Sequence, residues 1–402
     1  MLPRIGVFGT NSMAKLLVTI YQKAGFEVTS ICGRTAEKAG SVADELKIPF
    51  STTKLDEILL RSDVDLVVVI APPTLHAEIS VKALNVGKHV ITQNPPGLNF
   101  SDAEKMVTAA RYYPTLLSAL DNRLRFLPAV LKMREMVEDG YCGEIFLAEA
   151  RYYRPPYIRK GYLYSWLCDD SAGGGALSLG GSQMIDILAF VMQQKGVEVN
   201  GFLQTFVRET SRIQGFRYIT SDDFCTFQMK CSKGACATVT INCQVQSLYQ
   251  IEIMVIGTKG RLVVRNSELY GLLNEEKREK LIVKEDKNLG LTGLDEPELL
   301  KRVSLPFLRS AVLSTLALKS AFSKQDDRMM LDPTAVKMMA SFEDGMYVQA
   351  VVDAVRESSR QKKWTKVIVA DQTRAVNPFW TAPDRVERSS PLMMHRAAVQ
   401  GH

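Results

Sequence analysis

The chain has 402 residues, 46% of them hydrophobic and 23% charged, with a formal net charge of +6. That length accommodates two domains, and the composition is that of a globular protein. No apolar run reaches the roughly 18 residues of a membrane span, and the lysines and arginines are scattered rather than interleaved with aromatics, so neither a membrane-spanning protein nor a nucleic-acid binder is expected.

Met1-Leu-Pro-Arg runs into Ile5–Phe8 and then Gly9. This reads as a first strand and turn, not a signal peptide, because no small-residue cleavage site follows. Up to about residue 120, apolar runs alternate with amphipathic stretches. Arg4–Phe8, Glu27–Cys32, Asp65–Ile70, His89–Thr92 and Thr115–Leu120 read as strands. Ser12–Lys23, Ala36–Leu46, His76–Asn85 and Ser101–Tyr112 read as helices, the last opened by a Ser101/Glu104 capping box. Such alternation predicts an α/β domain with a parallel sheet.

Beyond residue 146 the pattern becomes one of long strands: Ile145–Tyr153, Val197–Arg208, Asp223–Lys230, Ala235–Gln244, Tyr249–Ile256 and Arg261–Arg265. In Ala235–Cys243 the residues Ala237, Val239, Ile241 and Cys243 share one face, the period of a half-buried strand. Gly257-Thr258-Lys259-Gly260 reads as a hairpin turn, and a mostly antiparallel sheet follows. Helices are expected at Pro306–Phe322 and Thr334–Ser359. Arg374–His402 is polar and aperiodic and reads as a disordered tail. The expected domains are 1–122, 123–370 and a tail at 371–402. The seven cysteines are odd in number with no C-x-x-C, which favours a reducing compartment and a cytoplasmic location. Only four histidines occur, two of them in the tail, so no metal site is expected.

Strand Arg4–Phe8 ends in Gly9-Thr10-Asn11-Ser12-Met13-Ala14. This is a variant of the dinucleotide fingerprint G-x-G-x-x-G/A at a strand–helix junction. Asn11 replaces the middle glycine; asparagine tolerates positive φ, but its side chain adds bulk where a pyrophosphate approaches. A plain strand–turn–helix is the competing reading. The second strand ends in Cys32-Gly33-Arg34-Thr35, with Lys38 one helical turn on. No carboxylate is present to hold a ribose 2′-hydroxyl, so Arg34, Thr35 and Lys38 favour a 2′-phosphate and hence NADP(H). An ordinary surface arginine is the alternative.

Ala71-Pro72-Pro73-Thr74-Leu75-His76, then Gln93-Asn94-Pro95, Arg125-Phe126-Leu127-Pro128, and Gly173-Gly174-Gly175-Ala176-Leu177 through Asp186 follow in order. In these motifs the chain resembles the glucose–fructose oxidoreductase/inositol dehydrogenase (Gfo/Idh/MocA) family over roughly nine-tenths of its length, and within it the animal glucose–fructose oxidoreductase domain-containing proteins. The resemblance implies a Rossmann domain and an α/β domain with a large, mostly antiparallel open sheet that forms a dimer face. It implies a nicotinamide nucleotide and a sugar or polyol substrate. Gly9, Thr10, Asn11, Ser12, Met13, Gly33, Arg34, Thr35, Lys38, Ala71, Pro72, Pro73, His76, Gln93, Asn94 and Trp166 are then the expected cofactor-binding residues. It leaves an extracellular location open.

The family's catalytic Lys, Asp and His fall at Asn94, Leu179 and Gln183 in this sequence. None of these side chains titrates in water, so none can take the proton that must leave an alcohol with its hydride. His76, Tyr162, Tyr164, Asp169 and Asp170 are the nearby substitutes, His76 or a tyrosine foremost. A non-catalytic or very slow NADP(H)-binding sensor or scaffold is the first expectation. An NADP-dependent oxidoreductase with a rearranged proton donor is the alternative.

Overall fold

The apolar runs of the first third form strands covered on both faces. In the computed structural model, which describes residues 1–158, 162–210, 218–286, 290–291, 304–323 and 325–369, these are β1 (Ile5–Phe8), β2 (Val28–Cys32), β3 (Phe50–Thr52), β4 (Leu66–Val69), β5 (His89–Gln93) and β6 (Ser118–Asp121). Between them run α1 (Ser12–Lys23), α2 (Ala36–Leu46), α3 (Leu55–Leu59), α4 (His76–Asn85) and α5 (Phe100–Tyr112). The six strands are parallel in the order β3-β2-β1-β4-β5-β6, the doubly wound arrangement of dinucleotide-binding folds. Every residue of β1 and β4 is buried, as strands beneath helices on both sides require.

β3 and α3 were not expected; they are too short to show a period. The capping box expected at Ser101 and Glu104 does not form. Asn99 caps α5 instead, accepting from the Asp102 amide at 3.0 Å, so the helix is already under way at Ser101.

The rest of the described chain comprises α6 (Pro128–Glu138), β7 (Ile145–Tyr153), α7 (Ser182–Met192), β8 (Gly196–Gln204), β9 (Phe224–Cys231), β10 (Cys236–Asn242), β11 (Gln250–Gly257), β12 (Gly260–Arg265), β13 (Glu268–Leu273), β14 (Lys280–Val283), α8 (Leu305–Ser323), β15 (Ala340–Ser341), α9 (Phe342–Gln361) and β16 (Thr365–Lys366). The second sheet runs β14-β13-β12-β11-β7-β10-β9-β8-β16. Its described pairs are antiparallel except β7 with β10. Ala237, Val239 and Ile241 face the core and Cys236 faces out, as the alternation predicts. The Gly257–Gly260 hairpin joins β11 to β12. The expected tail at 374–402 lies outside the described residues.

The C-terminal segment returns to the first sheet. α8 packs Leu308, Ala311, Val312 and Phe322 into the core around β1 and α1, and β15 adds antiparallel to β6. α9 begins with Phe342 and Met346 in the first sheet's core and continues with Val348, Val351 and Val355 in the second's. This helix was expected from Thr334. It starts at Phe342 because Ala340 and Ser341 are held extended against β6, and because Ser341 and Asp344 form a capping box, with amide–oxygen distances of 3.1 and 3.0 Å.

Arg125, in the turn after β6, joins these layers. Its guanidinium is buried against the Asp186 carboxylate of α7 (Nε–Oδ2 2.7 Å) and reaches Asp344 of α9 at 3.1 Å. Burial works against the charge, but the two carboxylates more than offset it and raise the Arg125 pKa. Arg125→Ala strands Asp186 without its partner, and a loss of about 3–5 kcal/mol is expected in urea unfolding. Replacing both partners with apolar residues, Arg125→Met with Asp186→Leu, is expected to cost less than Arg125→Ala alone.

Candidate active site

The loops after β2, β1, β4 and β5 open side by side at the C-terminal edge of the first sheet, where parallel α/β folds bind ligands. Gly9 turns the chain off β1 with φ +133°, and a Cβ there would lie 2.3 Å from the Ile70 carbonyl oxygen. Only glycine allows that approach. Asn11 has extended backbone, φ −79°, rather than the positive φ allowed for from the sequence. Its Oδ1 accepts from the Ala14 amide at 2.8 Å, and its Nδ2 donates to Ile70 O at 3.2 Å. The side chain therefore caps α1 and ties it to the end of β4. The Ser12 and Met13 amides, in the first turn, have no carbonyl partner within the helix.

At the end of β2, a Cβ on Gly33 would meet Thr10 Cγ2 at 2.7 Å, so the first two loops touch. Thr35 is the N-cap of α2, its hydroxyl accepting from the Lys38 amide at 3.3 Å. Arg34 and Lys38 are exposed, and neither side chain has an ion-pair partner among the described residues.

After β4, Ala71 and Pro72 lead into a short turn, Pro73–Leu75, and then into α4 at His76. His76 is buried, with Nδ1 2.8 Å from Pro95 O and Nε2 2.8 Å from Ala71 O. Burial pushes its pKa below the usual value, while the two carbonyls pull the other way. Both ring nitrogens thus face backbone carbonyls, and the one that carries the proton in the neutral ring donates to its carbonyl, placing the ring between the β4 and β5 loops. To act as the missing base, His76 would have to turn a ring nitrogen away from one of these carbonyls. Gln93 pairs with Asp121 at the end of β5. Asn94 follows, joined to Pro95 by a cis peptide bond. Its Oδ1 and Nδ2 are both out of contact with water and without a hydrogen-bond partner.

The glycine run closes onto this edge from the second layer. A Cβ on Gly173, where φ is +88°, would fall 2.8 Å from Pro73 Cβ, and one on Gly174 would fall 2.5 Å from Leu167 O. Trp166 is half-buried in a short turn capped by Ser165, next to the Leu167 carbonyl that Gly174 approaches. Leu179 lies in a π-helical turn, Leu177–Gly181, and Gln183 in the first turn of α7; both are half-buried. Asp169 and Asp170 fix the preceding turn through Ser171 and Thr220. Tyr162 is exposed.

Asp222 escapes the sequence reading. It is 8% exposed, its Oδ2 accepts from the Leu177 amide at 2.8 Å, and its Oδ1 leaves no room for a Cβ on Gly175. Burial pushes its carboxyl up to about 7, against the pull of the Leu177 amide and Arg356. Its neighbour Asp223 is chemically identical in sequence, yet it accepts from the Phe206 and Val207 amides and from Gln244.

A Rossmann sheet whose ligand edge is closed by a glycine run from an open antiparallel sheet defines a dinucleotide-dependent oxidoreductase scaffold. The comparisons agree. The family model described as oxidoreductase family, NAD-binding Rossmann fold, matches residues 3–119, and that of the GFO/IDH/MocA C-terminal domain matches residues 130–263. Glucose-fructose oxidoreductase domain-containing protein 2 of Mus musculus is 43% identical over 369 residues, 91% of this chain and 94% of its own. Domain-containing protein 1 of Xenopus tropicalis is 38% identical over 392 residues, 97% and 98% of the two chains. An oxidoreductase domain protein from Kribbella flavida superposes with a TM-score of 0.77 at 25% identity, over 92% of this chain and 99% of that one. Levoglucosan dehydrogenase in complex with NADH shares the fold, with a TM-score of 0.76 at 20% identity over 92% and 100% of the chains. The chain belongs to the Gfo/Idh/MocA oxidoreductase family. Among the described residues, no helix is long and apolar enough to cross a membrane, and no group of three or more His, Cys, Asp or Glu could hold a metal ion.

The Asp222 environment sets a pH dependence. With its carboxyl pushed up to about 7 in the folded state, from the ordinary 3.8, Asp222 contributes stability that is fully present below that ordinary value and is lost as pH rises through 7. Asp222→Asn is expected to flatten the decline in unfolding free energy between pH 5 and 8, by on the order of 1–3 kcal/mol. Urea unfolding of both forms across that range measures it; a parallel decline in the variant contradicts the assignment.

Proposed function

We propose that this chain holds NADP(H) at the edge of its first sheet and turns over no sugar or polyol at an enzymatic rate, acting as a nucleotide-dependent sensor or scaffold. The observation that carries this reading is Asn94. Its donor and acceptor are both buried and unpartnered, which is costly unless a ligand supplies the partners. An adjacent amide donor and acceptor suit a carboxamide or a pair of hydroxyls. They do not titrate.

A bound nicotinamide dinucleotide supplies hydride chemistry; the protein must supply the path for the alcohol proton. Positioned acid–base groups contribute about 10²–10⁴-fold to such steps. Asn94, Leu179 and Gln183 carry none, and both ring nitrogens of His76 face carbonyls. For the cofactor itself, the Gly9 and Gly33 turns allow close backbone approach, and the Ser12 and Met13 amides point a helix N-terminus at a phosphate. Arg34 and Lys38, without ion-pair partners among the described residues, support a 2′-phosphate and so NADP(H) over NAD(H). The outer face of the second sheet, where Leu147, Cys236 and Ile256 stand side by side, is the surface we assign to a homodimer.

One observation favours a second reading, an active NADP-dependent oxidoreductase. Asp222, at about 7, is a carboxyl of the right pKa beside the glycine run. Thermal unfolding separates these outcomes. NADPH at 100 times its Kd is expected to stabilise the full chain by about 2.7 kcal/mol. Arg34→Ala with Lys38→Ala is expected to weaken NADPH roughly tenfold or more and leave NADH unchanged. No response to either nucleotide overturns the binding half. Turnover above about 1 s⁻¹ on any member of a polyol panel overturns the non-catalytic half, and its loss in Asp222→Asn establishes the second reading.

A further inference from the structure

Arg154 directly follows β7, and its amide still bonds to Asn242 O at 3.0 Å, so the strand geometry extends through it. Alternation places it on the face of Ala148, Ala150 and Tyr152, which is the inner, helix-covered face of the second sheet. The Tyr152 ring lies against Gly180, where a Cβ would come within 2.9 Å of it. Gly180 adjoins Leu179. Arg154 therefore stands one alternate strand position, roughly 7 Å, beyond the turn that carries the family's catalytic positions.

Its guanidinium is stacked on the Tyr157 ring, 3.5 Å from the centroid, with the Tyr249 ring 5.5 Å away. Nε donates to Pro155 O at 3.1 Å, and the Tyr152 and Tyr157 phenols also hydrogen-bond with the guanidinium. No carboxylate among the described residues is within ion-pair distance of it. The buried arginines among the described residues differ: Arg123 meets Asp121, Arg125 meets Asp186, and Arg309 meets Asp286. The acids nearest in the fold are committed elsewhere, Asp222 to the Leu177 amide and Asp223 to Phe206, Val207 and Gln244. Burial raises the Tyr157 phenol well above its usual pKa and pushes the Cys243 thiol up to about 12, so neither neutralises the guanidinium at neutral pH. Arg154 is half-buried and its partners are neutral, so its charge is left uncompensated where such charges are normally paired.

We infer that Arg154 docks the carboxylate of an acidic carbohydrate, a uronic or aldonic acid, with the ligand's alcohol carbons directed toward Leu179 and Gln183. A guanidinium stacked on an aromatic face keeps its N–H edge in plane, the geometry that receives a carboxylate through two parallel bonds. The Tyr157 and Tyr249 rings add apolar surface for the sugar face. The inference rests on reading this cleft as the ligand site, and not on which nucleotide occupies it.

The test is calorimetric titration of the full chain with D-glucuronate, D-gluconate, D-glucose and D-glucose 6-phosphate, with and without NADPH. At least one of the two acids is expected to bind tenfold or more tighter than glucose, with a preference that falls as salt rises. Arg154→Gln is expected to bring the ratio to near one, Arg154→Lys to retain part of it, and the thermal shift with NADPH to remain as in the parent. Equal affinity for glucose and both acids in the parent overturns the inference without recourse to any variant. So does an acid preference that survives Arg154→Gln, or glucose 6-phosphate binding tenfold tighter than either acid. Arg154-dependent acid binding without any response to NADPH leaves this inference standing and removes the nucleotide reading; the reverse result does the opposite.

Discussion

A buried guanidinium fixes its surroundings more tightly than any apolar contact, because its charge is tolerable only while its partners stay in place. Arg125 imposes that constraint here. It stands at the exit of the first sheet, Asp186 belongs to the helix that covers the second, and Asp344 belongs to the cap of the helix that spans both cores. Sliding one layer past the other would separate these three groups before it disturbed most of the apolar packing. The glycine run inherits its position from this arrangement, since the π-helical turn that follows it continues directly into α7, which carries Asp186. Gly173 then meets Pro73 at a distance where no side chain fits.

The shape of the cleft follows from a second set of commitments, all made by side chains that would otherwise be available for chemistry. Asn11 is spent on α1 and Ile70, His76 on the carbonyls of Ala71 and Pro95, and Thr35 on the first turn of α2. These bonds hold the β1, β4 and β5 loops at one sheet edge, and the close approach of Gly33 to Thr10 sets the β2 loop beside them. They also decide what the edge has left over: the first-turn amides of α1, two cations beyond β2, and the unpartnered amide of Asn94. The residue inventory of this rim is one of hydrogen-bonding and positive charge rather than of acids and bases.

Most of the fold was legible because it is carried by long periods. Ser12–Lys23, Ala36–Leu46, His76–Asn85 and Ile145–Tyr153 run over the expected residues, and the order of motifs located the rest. Elements of two to five residues, such as β3, α3 and β15, have no period to detect. The start of α9 was misplaced because residues 334–341 share its composition and only pairing with β6 distinguishes them. At the site, residue types were legible but their commitments were not. Asn11 reads as added bulk and is a helix cap, and His76 stands with both ring nitrogens against backbone carbonyls, which its sequence position does not reveal. Asp222 and Asp223 differ only in which one the fold withdraws from water, and no local pattern encodes that.

The same distinction between a residue's type and its commitments separates binding from catalysis in this cleft. Binding tolerates substitution of an acid–base residue by an amide, because a donor and acceptor of the right spacing still orient a ligand. Hydride transfer does not, because the alcohol proton needs a destination whose pKa lies near the working pH. Asp222 is the titratable group that the fold tunes toward neutrality next to the glycine run, and it already accepts from the amide that opens the π-helical turn. Drawing a proton from a ligand would change the charge on the group that anchors Leu177, two residues before Leu179. Proton uptake at Asp222 would weaken the charged acceptor at the start of this turn, which suits a protein that reports an occupied site at least as well as one that turns it over.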